Sequence, residues 1–426
     1  MTHNSWVNGV EYVKGLVCCP ERRSLTAISD NCSQVNNQAL SHFLSQSPWD
    51  HRLLLNWIQK TGVRMIGKFG ALVIDECGNV KAGLKSVGVW RQYCGNLGKV
   101  ENCQVGVFMA YVKRGTRLLI DFRLYLPKCW IDDPERCKAA GIPNGEQVFR
   151  TKAELAYEMI IQAVQSGIRF SHICMDGFYG NHPLLRVKLE ELNLIYAADI
   201  SSDCHVYPIE PVHEIPTKKG NQGGKPTRFK VFNTKSVRVD ELIKNVDRWR
   251  VMRIRRSMDG FLEVRFMAIK VWRIDKEVLK PLPVWLLIRK EIDNSKIKYS
   301  LCNDITNQSW DKLVKMQSDR YWIERSFEDA IDLAGMADYQ VRNWNAWHHH
   351  MALVLLTMLW ITKEQRHFLE NFSDITPQDM IRMIKQKIAL KIKTALTVAK
   401  RILENHKNRR DSRRSKMKQK TRLKTI

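Results

Sequence analysis

The chain has 426 residues, 44% of them hydrophobic, and carries a formal net charge of +25 at pH 7. This length predicts roughly two to four structural units, and the charge indicates a polyanionic partner rather than a small neutral substrate. The longest apolar stretch, residues 351–361, is too short to span a bilayer and predicts a core helix. The eleven cysteines contain no Cys-x-x-Cys pair and no zinc-finger spacing, which favours reduced thiols in a cytosolic protein.

Residues 1–62 predict a helical amino-terminal domain, which we expect to bind DNA. Apolar residues at 40–44 and 53–58 recur with helical spacing, and Pro20 and Pro48 mark breaks. From residue 63 to 200 the pattern changes to strands and helices. We predict strands at 70–75, 105–112, 116–127, 170–176 and 194–200, and helices at 151–167 and 182–193. This alternation predicts an α/β fold with parallel neighbouring strands.

Residues 201–305 interrupt that rhythm and predict a β-rich insertion. Two hairpins are indicated, one around Ser257–Gly260 and one around Asp293-Asn294. Helix returns in residues 306–363, which we assign to the second part of the same α/β domain. Residues 364–426 form a basic carboxyl-terminal region, and its last twenty residues predict a disordered basic arm.

Three acidic residues stand in informative settings. Asp75 and Asp176 each end an apolar run that predicts a buried strand, and Glu324 lies in a predicted helix. Carboxylates at strand ends and on a helix can converge on one point, where they would bind hard cations such as Mg²⁺. A pair of such ions about 4 Å apart supports phosphodiester cleavage.

Four sequence blocks are similar to those of DDE-type transposases of bacterial insertion sequences. They are Ile74-Asp75-Glu76 with Lys81-Ala82-Gly83, the run 91–104, Asp176-Gly177-Phe178-Tyr179-Gly180, and Arg320-Tyr321-Trp322-Ile323-Glu324 with Phe327. The resemblance covers about residues 5–363. The 148 residues between Asp176 and Glu324 resemble the branch that carries a β-stranded insertion before its catalytic Glu.

The resemblance implies an RNase H-like mixed sheet flanked by helices. It also implies that Asp75, Asp176 and Glu324 hold two Mg²⁺ ions, with Mn²⁺ as a substitute, and that Arg320 contacts a phosphate. The implied partners are the element's terminal inverted repeats, target DNA and further copies of the chain, in a homodimer or larger complex. The implied location is the bacterial cytoplasm, in association with the nucleoid and not with a membrane.

The chain departs from that branch near the third acid. Gln317 stands where the branch has Tyr, and Ile331 stands where it has Lys. Members of the branch tend to begin further upstream, so a natural start and a truncated amino-terminal domain are both open.

Basic residues outside the three acidic blocks have two interpretations. An arginine-rich strand is either a solvated face or a phosphate-binding surface, and its five arginines are Arg248, Arg250, Arg253, Arg255 and Arg256. Further DNA contacts are expected in the basic arm, from Arg409, Arg410, Arg413 and Arg414. The loop at 94–99 is either a plain hairpin or a DNA contact.

Other acids and the histidine run are expected to be structural. Glu76 should point to the opposite strand face from Asp75, and Glu328 shares a helix face with Glu324. His348-His349-His350 point about 100° apart on a helix, which favours packing or DNA contact over a zinc site. Trp344 and Trp347 are expected in the core.

The favoured hypothesis is a metal-dependent transposase. Two alternatives stay open. One is a nuclease of the same fold that cuts without joining strands, and the other is a DNA-binding derivative that has lost activity.

Overall fold

The structure is a computed structural model and describes residues 3–20, 22–214, 230–257, 260–275, 280–292, 296–307, 309–369 and 376–387. The expected basic arm, with Arg409, Arg410, Arg413 and Arg414, lies outside these residues. So do the tips of the two predicted hairpins.

The helices include several single turns. They are α1 (His3–Cys18), α2 (Leu25–Asn31), α3 (Asn37–Ser45), α4 (His51–Ile66), α5 (Lys128–Ile131), α6 (Pro134–Ala139), α7 (Lys152–Gln165), α8 (Gly177–Gly180), α9 (Pro183–Glu191), α10 (Val239–Leu242), α11 (Trp310–Ser318), α12 (Tyr321–Ala334), α13 (Trp344–Leu369) and α14 (Pro377–Lys387). Short 3₁₀ turns lie at Gly95–Leu97, Asn144–Glu146 and Ile243–Asn245.

The strands range from two to fifteen residues. They are β1 (Gly70–Val80), β2 (Trp90–Cys94), β3 (Lys99–Lys113), β4 (Thr116–Leu124), β5 (Phe170–Met175), β6 (Tyr196–Ile200), β7 (His205–Val206), β8 (His213–Glu214), β9 (Lys230–Val231), β10 (Val237–Arg238), β11 (Arg250–Ser257), β12 (Gly260–Ile274), β13 (Pro281–Glu291) and β14 (Ile297–Cys302).

Within the described ranges, ten strands form one mixed sheet. Its order is β11-β12-β13-β14-β6-β5-β1-β3, and both β2 and β4 pair with the far edge of the long strand β3. Strands β1, β5 and β6 run parallel, while β3 is antiparallel to β1 and to β4. This sheet with its flanking helices confirms the α/β, RNase H-like fold expected from the sequence.

The strands of the predicted insertion continue this sheet. Strand β14 pairs antiparallel with β6, and β13, β12 and β11 follow outward. The β-rich character of residues 201–305 is therefore confirmed. The five-part division of the chain into domains stays a prediction. The sheet runs without a break across the predicted boundary between residues 200 and 201, because β14 pairs with β6.

Helices α12 and α7 lie on opposite faces of the sheet. Successive side chains of a strand point to opposite faces, and Asp75 faces Arg320 at the start of α12 whereas Glu76 binds Lys152 of α7. The helix α7 begins with a capping box formed by Thr151 and Glu154.

The long helix α13 packs against α1, α3 and α4, and against β4. Trp344 and Trp347 are buried there, as predicted, and so are the three histidines 348–350. The two ring nitrogens of His349 lie 2.8 Å from the backbone carbonyl of Leu44 and 2.9 Å from that of Trp49, so the neutral ring donates to one of these two oxygens. The packing role expected for this run is thus confirmed. Among the described residues no helix is both long and apolar enough to cross a membrane.

Two sequence-based predictions differ from the structure. One concerns the end of β1, and the other concerns β2, which was missed. Strand β1 continues to Val80 instead of ending at Asp75, so Asp75 is the sixth of eleven residues in the strand. Strand β2 was not predicted, because the polar sequence Trp-Arg-Gln-Tyr-Cys is mostly exposed and shows little apolar alternation. The loop at 94–99 is the tight connection between β2 and β3.

Candidate active site

Asp75 lies in the middle of the sheet, on a strand paired on both sides. Its Oδ1 accepts a hydrogen bond of 2.8 Å from the backbone N–H of Glu76. Its side chain is 14% exposed. The apolar run before it is buried because β3 and β5 flank β1. The sequence therefore places a carboxylate where its burial must be compensated by a partner charge, an ion or a proton.

Asp176 follows the end of β5, next to Asp75. In the parallel register Ile74 of β1 is opposite Met175 of β5, and each is followed by one of the two aspartates. Neighbouring strands lie about 4.8 Å apart, so Asp75 and Asp176 are close neighbours. Asp176 is also the N-cap of α8, accepting from the backbone N–H groups of Phe178 (3.0 Å) and Tyr179 (3.2 Å). Asp176 is therefore both the N-cap of α8 and the neighbour of Asp75.

Arg320 joins the acids of three elements. Its Nη1 is 3.6 Å from Asp75 Oδ2, its Nη2 is 2.6 Å from Glu324 Oε1, and its Nε is 2.9 Å from Asp199 Oδ2. Glu324 lies one helical turn after Arg320 on α12, so both side chains share one face. The structure therefore gathers Asp75, Glu324 and Asp199 around a single guanidinium.

The electrostatics of the site reflect crowded carboxylates. Burial raises the pKa of Asp75 from its usual 3.8 to about 8, and the charge of Asp176 adds to this rise while Arg320 opposes it. Burial also raises the pKa of Asp176, against the stabilising N–H of Tyr179. Burial disfavours the charge of Arg320, but Asp199, Glu324 and Asp75 outweigh that effect and raise its pKa. The surrounding carboxylates thus hold Arg320 in its charged form, while burial favours the neutral form of the two aspartates.

Asp199 was not singled out from the sequence, although it lies near the carboxyl end of β6. Such ends carry functional groups in parallel sheets, and that position was the available signal. The hydroxyl of Ser300, on β14, donates to Asp199 Oδ1 at 2.6 Å, and the amide of Gln317 donates to Ser300 Oγ at 2.9 Å. A hydrogen-bonded chain therefore runs from α11 through the insertion strand to Arg320.

Gln317 has a role that the resemblance to the branch did not predict. It is buried, and its amide nitrogen also approaches the carbonyl of Leu287 at 3.3 Å. It thus ties α11 to the insertion strands β13 and β14 instead of reaching solvent. Ile331, the other departure, packs partly buried against the core.

The neighbouring acids occupy separate environments. Glu76 binds the Lys152 ammonium at 2.5 Å and accepts from the Tyr179 hydroxyl at 2.9 Å, as a structural ion pair on the other sheet face. Glu328 pairs with Arg325 and is largely exposed. Within the described part of the chain, neither acid forms an ion pair with Arg320.

The donor set fits a divalent cation in charge and chemistry. Among the residues that the structure describes, no three His, Cys, Asp or Glu side chains already have the spacing of a metal site. However, carboxylate oxygens are the ligands that Mg²⁺ prefers, and burial raises the pKa values of Asp75 and Asp176, so positive charge placed there would stabilise their ionised forms. Arg320 supplies part of that charge in this structure.

The arginine-rich strand faces several directions. Arg250 stacks over Trp310, with 4.5 Å to the ring centroid, and Arg253 pairs with Glu263 at 2.9 Å. Arg248 is exposed just before β11. Arg255, one position past a bulge in β11, stacks 3.5 Å over Tyr321, beside Arg320. Among the side chains of this cluster that the structure describes, Arg255 is the one that stacks next to Arg320.

The raised pKa of Asp75 predicts a pH-dependent stability. Between pH 4 and 8 the folded carboxyl holds a proton that the unfolded chain has released, so rising pH favours unfolding of the metal-free protein. We expect Asp75→Asn to remove this loss of folding stability, so that the variant has a higher melting temperature than the wild type in EDTA at pH 8. The gain in the free energy of unfolding should be at most about 5 kcal/mol. Thermal unfolding at pH 4 and pH 8 measures it, with Glu328→Gln as the control. A difference between variant and wild type that is independent of pH would contradict it.

Comparison with known proteins identifies a family and one relative. The model of a family described as DDE superfamily endonuclease matches residues 2–260. That segment includes Asp75 and Asp176 and ends before Glu324. A protein of Microchaete diplosiphon, described as a probable transposase for insertion sequence element IS701, is 34% identical over 194 residues. The match covers 45% of this chain and 48% of that protein, so the chain spans about half the length of this relative.

Proposed function

The chain belongs to the DDE superfamily of endonucleases, and from this premise we propose that it is a transposase. It would cut DNA at the ends of an insertion sequence and join the freed ends to target DNA. The similarity to the probable IS701 transposase supports the transposase activity.

One observation carries the proposal. Asp75 from the centre of the sheet and Glu324 from α12 share the guanidinium of Arg320, and Asp176 lies next to Asp75 on the neighbouring strand. Acids separated by 101 and 148 residues in the chain are thus gathered at one place. Carboxyl groups with raised pKa values that lie beside a specific charge partner are typical of functional sites.

We propose that Asp75, Asp176 and Glu324 hold two Mg²⁺ ions, with Mn²⁺ able to replace them. When bound, such ions lower the pKa of an attacking water and stabilise the departing 3′ oxygen. The three side chains would supply the carboxylate oxygens. The strands and the helix that carry them would hold these oxygens in position. Arg320, whose planar fork suits phosphate oxygens, would orient the scissile phosphate.

The direct test uses the DNA that flanks the gene. If inverted repeats bounded by a short direct duplication lie there, labelled duplexes of these ends serve as substrates. Cleavage in Mg²⁺, followed by joining of pre-cut ends to a target plasmid, is the expected result. Cleavage without joining would favour the nuclease alternative, and binding without cleavage would favour an inactive derivative.

We also propose that the chain acts as a homodimer or larger complex on paired DNA ends, at the nucleoid of the bacterial cytoplasm. Two ends must be processed together for insertion, which supports more than one copy. Light scattering of the chain with and without terminal-repeat DNA measures the stoichiometry, and one copy per paired-end complex would contradict it.

The basic arm should contribute sequence-independent affinity. Removing residues 407–426 deletes ten Lys or Arg residues and one Asp. The slope of log affinity against log salt should flatten by about 0.9 for each phosphate that the arm no longer neutralises. Preference for terminal-repeat DNA over random DNA should survive, since base contacts give specificity. A salt titration of both DNAs measures this, and an unchanged slope would show that the arm does not contact DNA.

A further inference from the structure

A groove of about 590 Å³ lies beside the candidate active site. We call it the Phe69 groove. One wall is the chain entering β1, around Phe69, together with the β3–β4 turn around Arg114. The other wall is formed by Arg255 of β11 and Lys315 of α11. The groove is open to solvent along its length, so a chain-like ligand can lie in it.

The lining of the groove is strongly basic. Its cationic side chains are Lys113, Arg114, Arg255, Lys312 and Lys315, and its one carboxylate is Asp319. Asp319 lies 3.4 Å from the imidazole of His172, and Lys312 pairs with Asp304 at 3.2 Å. Lys113 donates to the carbonyl of Lys68 at 2.5 Å and Arg255 stacks on Tyr321, but among the described residues neither pairs with a carboxylate, so their charge can still attract an anionic ligand. A row of cations along an open groove is the arrangement that follows a phosphodiester backbone.

Phe69 adds a second, independent observation. Its ring is 60% exposed, and its backbone has φ = 63°, which is unfavourable for a residue with a Cβ. The surrounding chain enforces this conformation. The N–H of Phe69 donates to the carbonyl of Arg169 at 3.0 Å, and the hydroxyl of Tyr111 accepts from the N–H of Gly70 at 2.8 Å. Strain that the surroundings impose on an exposed aromatic residue is typical of binding sites.

The groove lies near Arg320 and near the strand that carries Asp75. Asp319 and Trp322, which line it, flank the turn that carries Arg320. Arg255, also in the lining, stacks on Tyr321 next to Arg320. On the sheet side Ala71 lines the groove and shares a strand face with Asp75, about 13 Å further along β1. A strand lying in the groove would pass about 13 Å from Asp75, with the buried Val73 between them on the same face of β1.

We propose that the Phe69 groove binds an unpaired segment of DNA about 13 Å along β1 from Asp75. Phe69 stacks on a base, and Lys113, Arg255 and Lys315 contact the phosphates. The unpaired state follows from Phe69, because an aromatic platform needs an accessible base face, which a duplex conceals. This inference rests on the proposed function and adds the place and state of the DNA strand.

The test compares two DNA probes on the full-length chain by fluorescence anisotropy. One probe is a blunt duplex, and the other is the same duplex with a short single-stranded thymine overhang. Phe69→Ala should weaken binding of the overhang probe about tenfold, as expected when one base no longer stacks on a ring, and leave the blunt duplex unchanged. Phe69→Trp should retain affinity for the overhang. Phe149→Ala, which removes an exposed aromatic ring just before α7, is the matched control.

Two further measurements separate stacking from folding. Phe69→Gly relieves the backbone strain, so it should raise the melting temperature and still lose overhang affinity. Lys113→Gln with Lys315→Gln should flatten the salt dependence of overhang binding by about 0.7 per phosphate contact. Lys138→Gln, at an exposed lysine of α6, should not. An overhang carrying 5-iododeoxyuridine should crosslink to the peptide that contains Phe69.

Three outcomes would overturn the inference. They are unchanged overhang affinity in Phe69→Ala and Phe69→Gly, equal losses on both probes, and crosslinks that avoid the groove. If the wild type cuts terminal-repeat DNA but shows one of these, only the groove assignment fails. If the wild type binds neither probe, the proposed function fails with it.

Discussion

Replacing Asp75 with Asn is expected to abolish metal-dependent DNA cleavage and to leave DNA binding nearly unchanged. The substitution keeps the shape of the side chain and removes the negative charge at the centre of the sheet. A metal contributes several kcal/mol to stabilising the transition state, so the rate should fall by about 10³-fold or more. Asp176→Asn and Glu324→Gln should each have the same effect, because each is proposed to hold the same ions.

The matched control is Glu328→Gln. Glu328 lies one turn beyond Glu324 on α12, but its partner is Arg325. It should retain cleavage within a few-fold of the wild type. Cleavage gels with a labelled terminal-repeat duplex measure all four variants. Substantial Mg²⁺-dependent cleavage by any of the three site variants would remove that residue from the site.

The second large effect is expected from Arg320→Ala. In the absence of metal, Arg320 is the guanidinium that contacts Asp75, Asp199 and Glu324. Removing one partner of a buried ion pair costs about 3–5 kcal/mol, and the half-exposed Glu324 should contribute little to that cost. We therefore expect a lower melting temperature in EDTA and a partial recovery in Mg²⁺, because the ions replace the missing charge.

Arg320→Ala should also distinguish the role of the guanidinium in neutralising the acids from its proposed role in binding the scissile phosphate. The variant should bind Mg²⁺ at least as tightly as the wild type, since a competing cation is gone, while cleavage falls because the phosphate loses its clamp. Arg320→Lys keeps the charge without the fork and should restore stability more than activity. Calorimetric titration with Mg²⁺ and thermal unfolding measure these effects. Equal melting temperatures of Arg320→Ala and wild type in EDTA would contradict the bridging role.

Asp199→Asn tests the chain of hydrogen bonds behind Arg320. Asp199 holds Arg320 Nε at 2.9 Å and accepts from Ser300. Its loss should weaken activity less than loss of Arg320, because Asp75 and Glu324 still position the guanidinium.

The sequence predicted the parts of the site that depend on local pattern. Asp75 and Asp176 follow apolar runs, and these runs become the buried strands β1 and β5. The helical position of Glu324 was also predictable, since apolar residues recur around it on α12. The assignment of these three residues as catalytic nevertheless came from resemblance. A strand followed by an acid is common, and local pattern does not show which acids meet.

The sequence did not predict the partners that arrive from distant segments. Asp199 and Ser300 are 101 residues apart and meet only because β14 pairs with β6. Arg255 was one of five similar arginines, and the bulge in β11 decides which of them reaches Tyr321. Register shifts and long-range strand pairing depend on the packed sheet, so neither is encoded in a short window of sequence.

The length of β1 has a similar explanation. Glu76, Gly78 and Asn79 are poor indicators of a strand, yet each pairs with β3, whose fifteen residues provide a continuous edge. Tertiary pairing thus extends the strand past the point where its own sequence would end it.

The measurement that most directly tests the central claim is cleavage of the protein backbone by bound Fe²⁺. Iron that replaces Mg²⁺ generates hydroxyl radicals with ascorbate, and these cut the chain next to the metal. If Asp75, Asp176 and Glu324 form one metal site, the wild-type chain should be cut near all three. Mg²⁺ should suppress the three cuts together, and Asp75→Asn should abolish all of them. Cuts near Asp75 and Asp176 without one near Glu324, or cuts that persist in Asp75→Asn, would show that the three acids do not share a site.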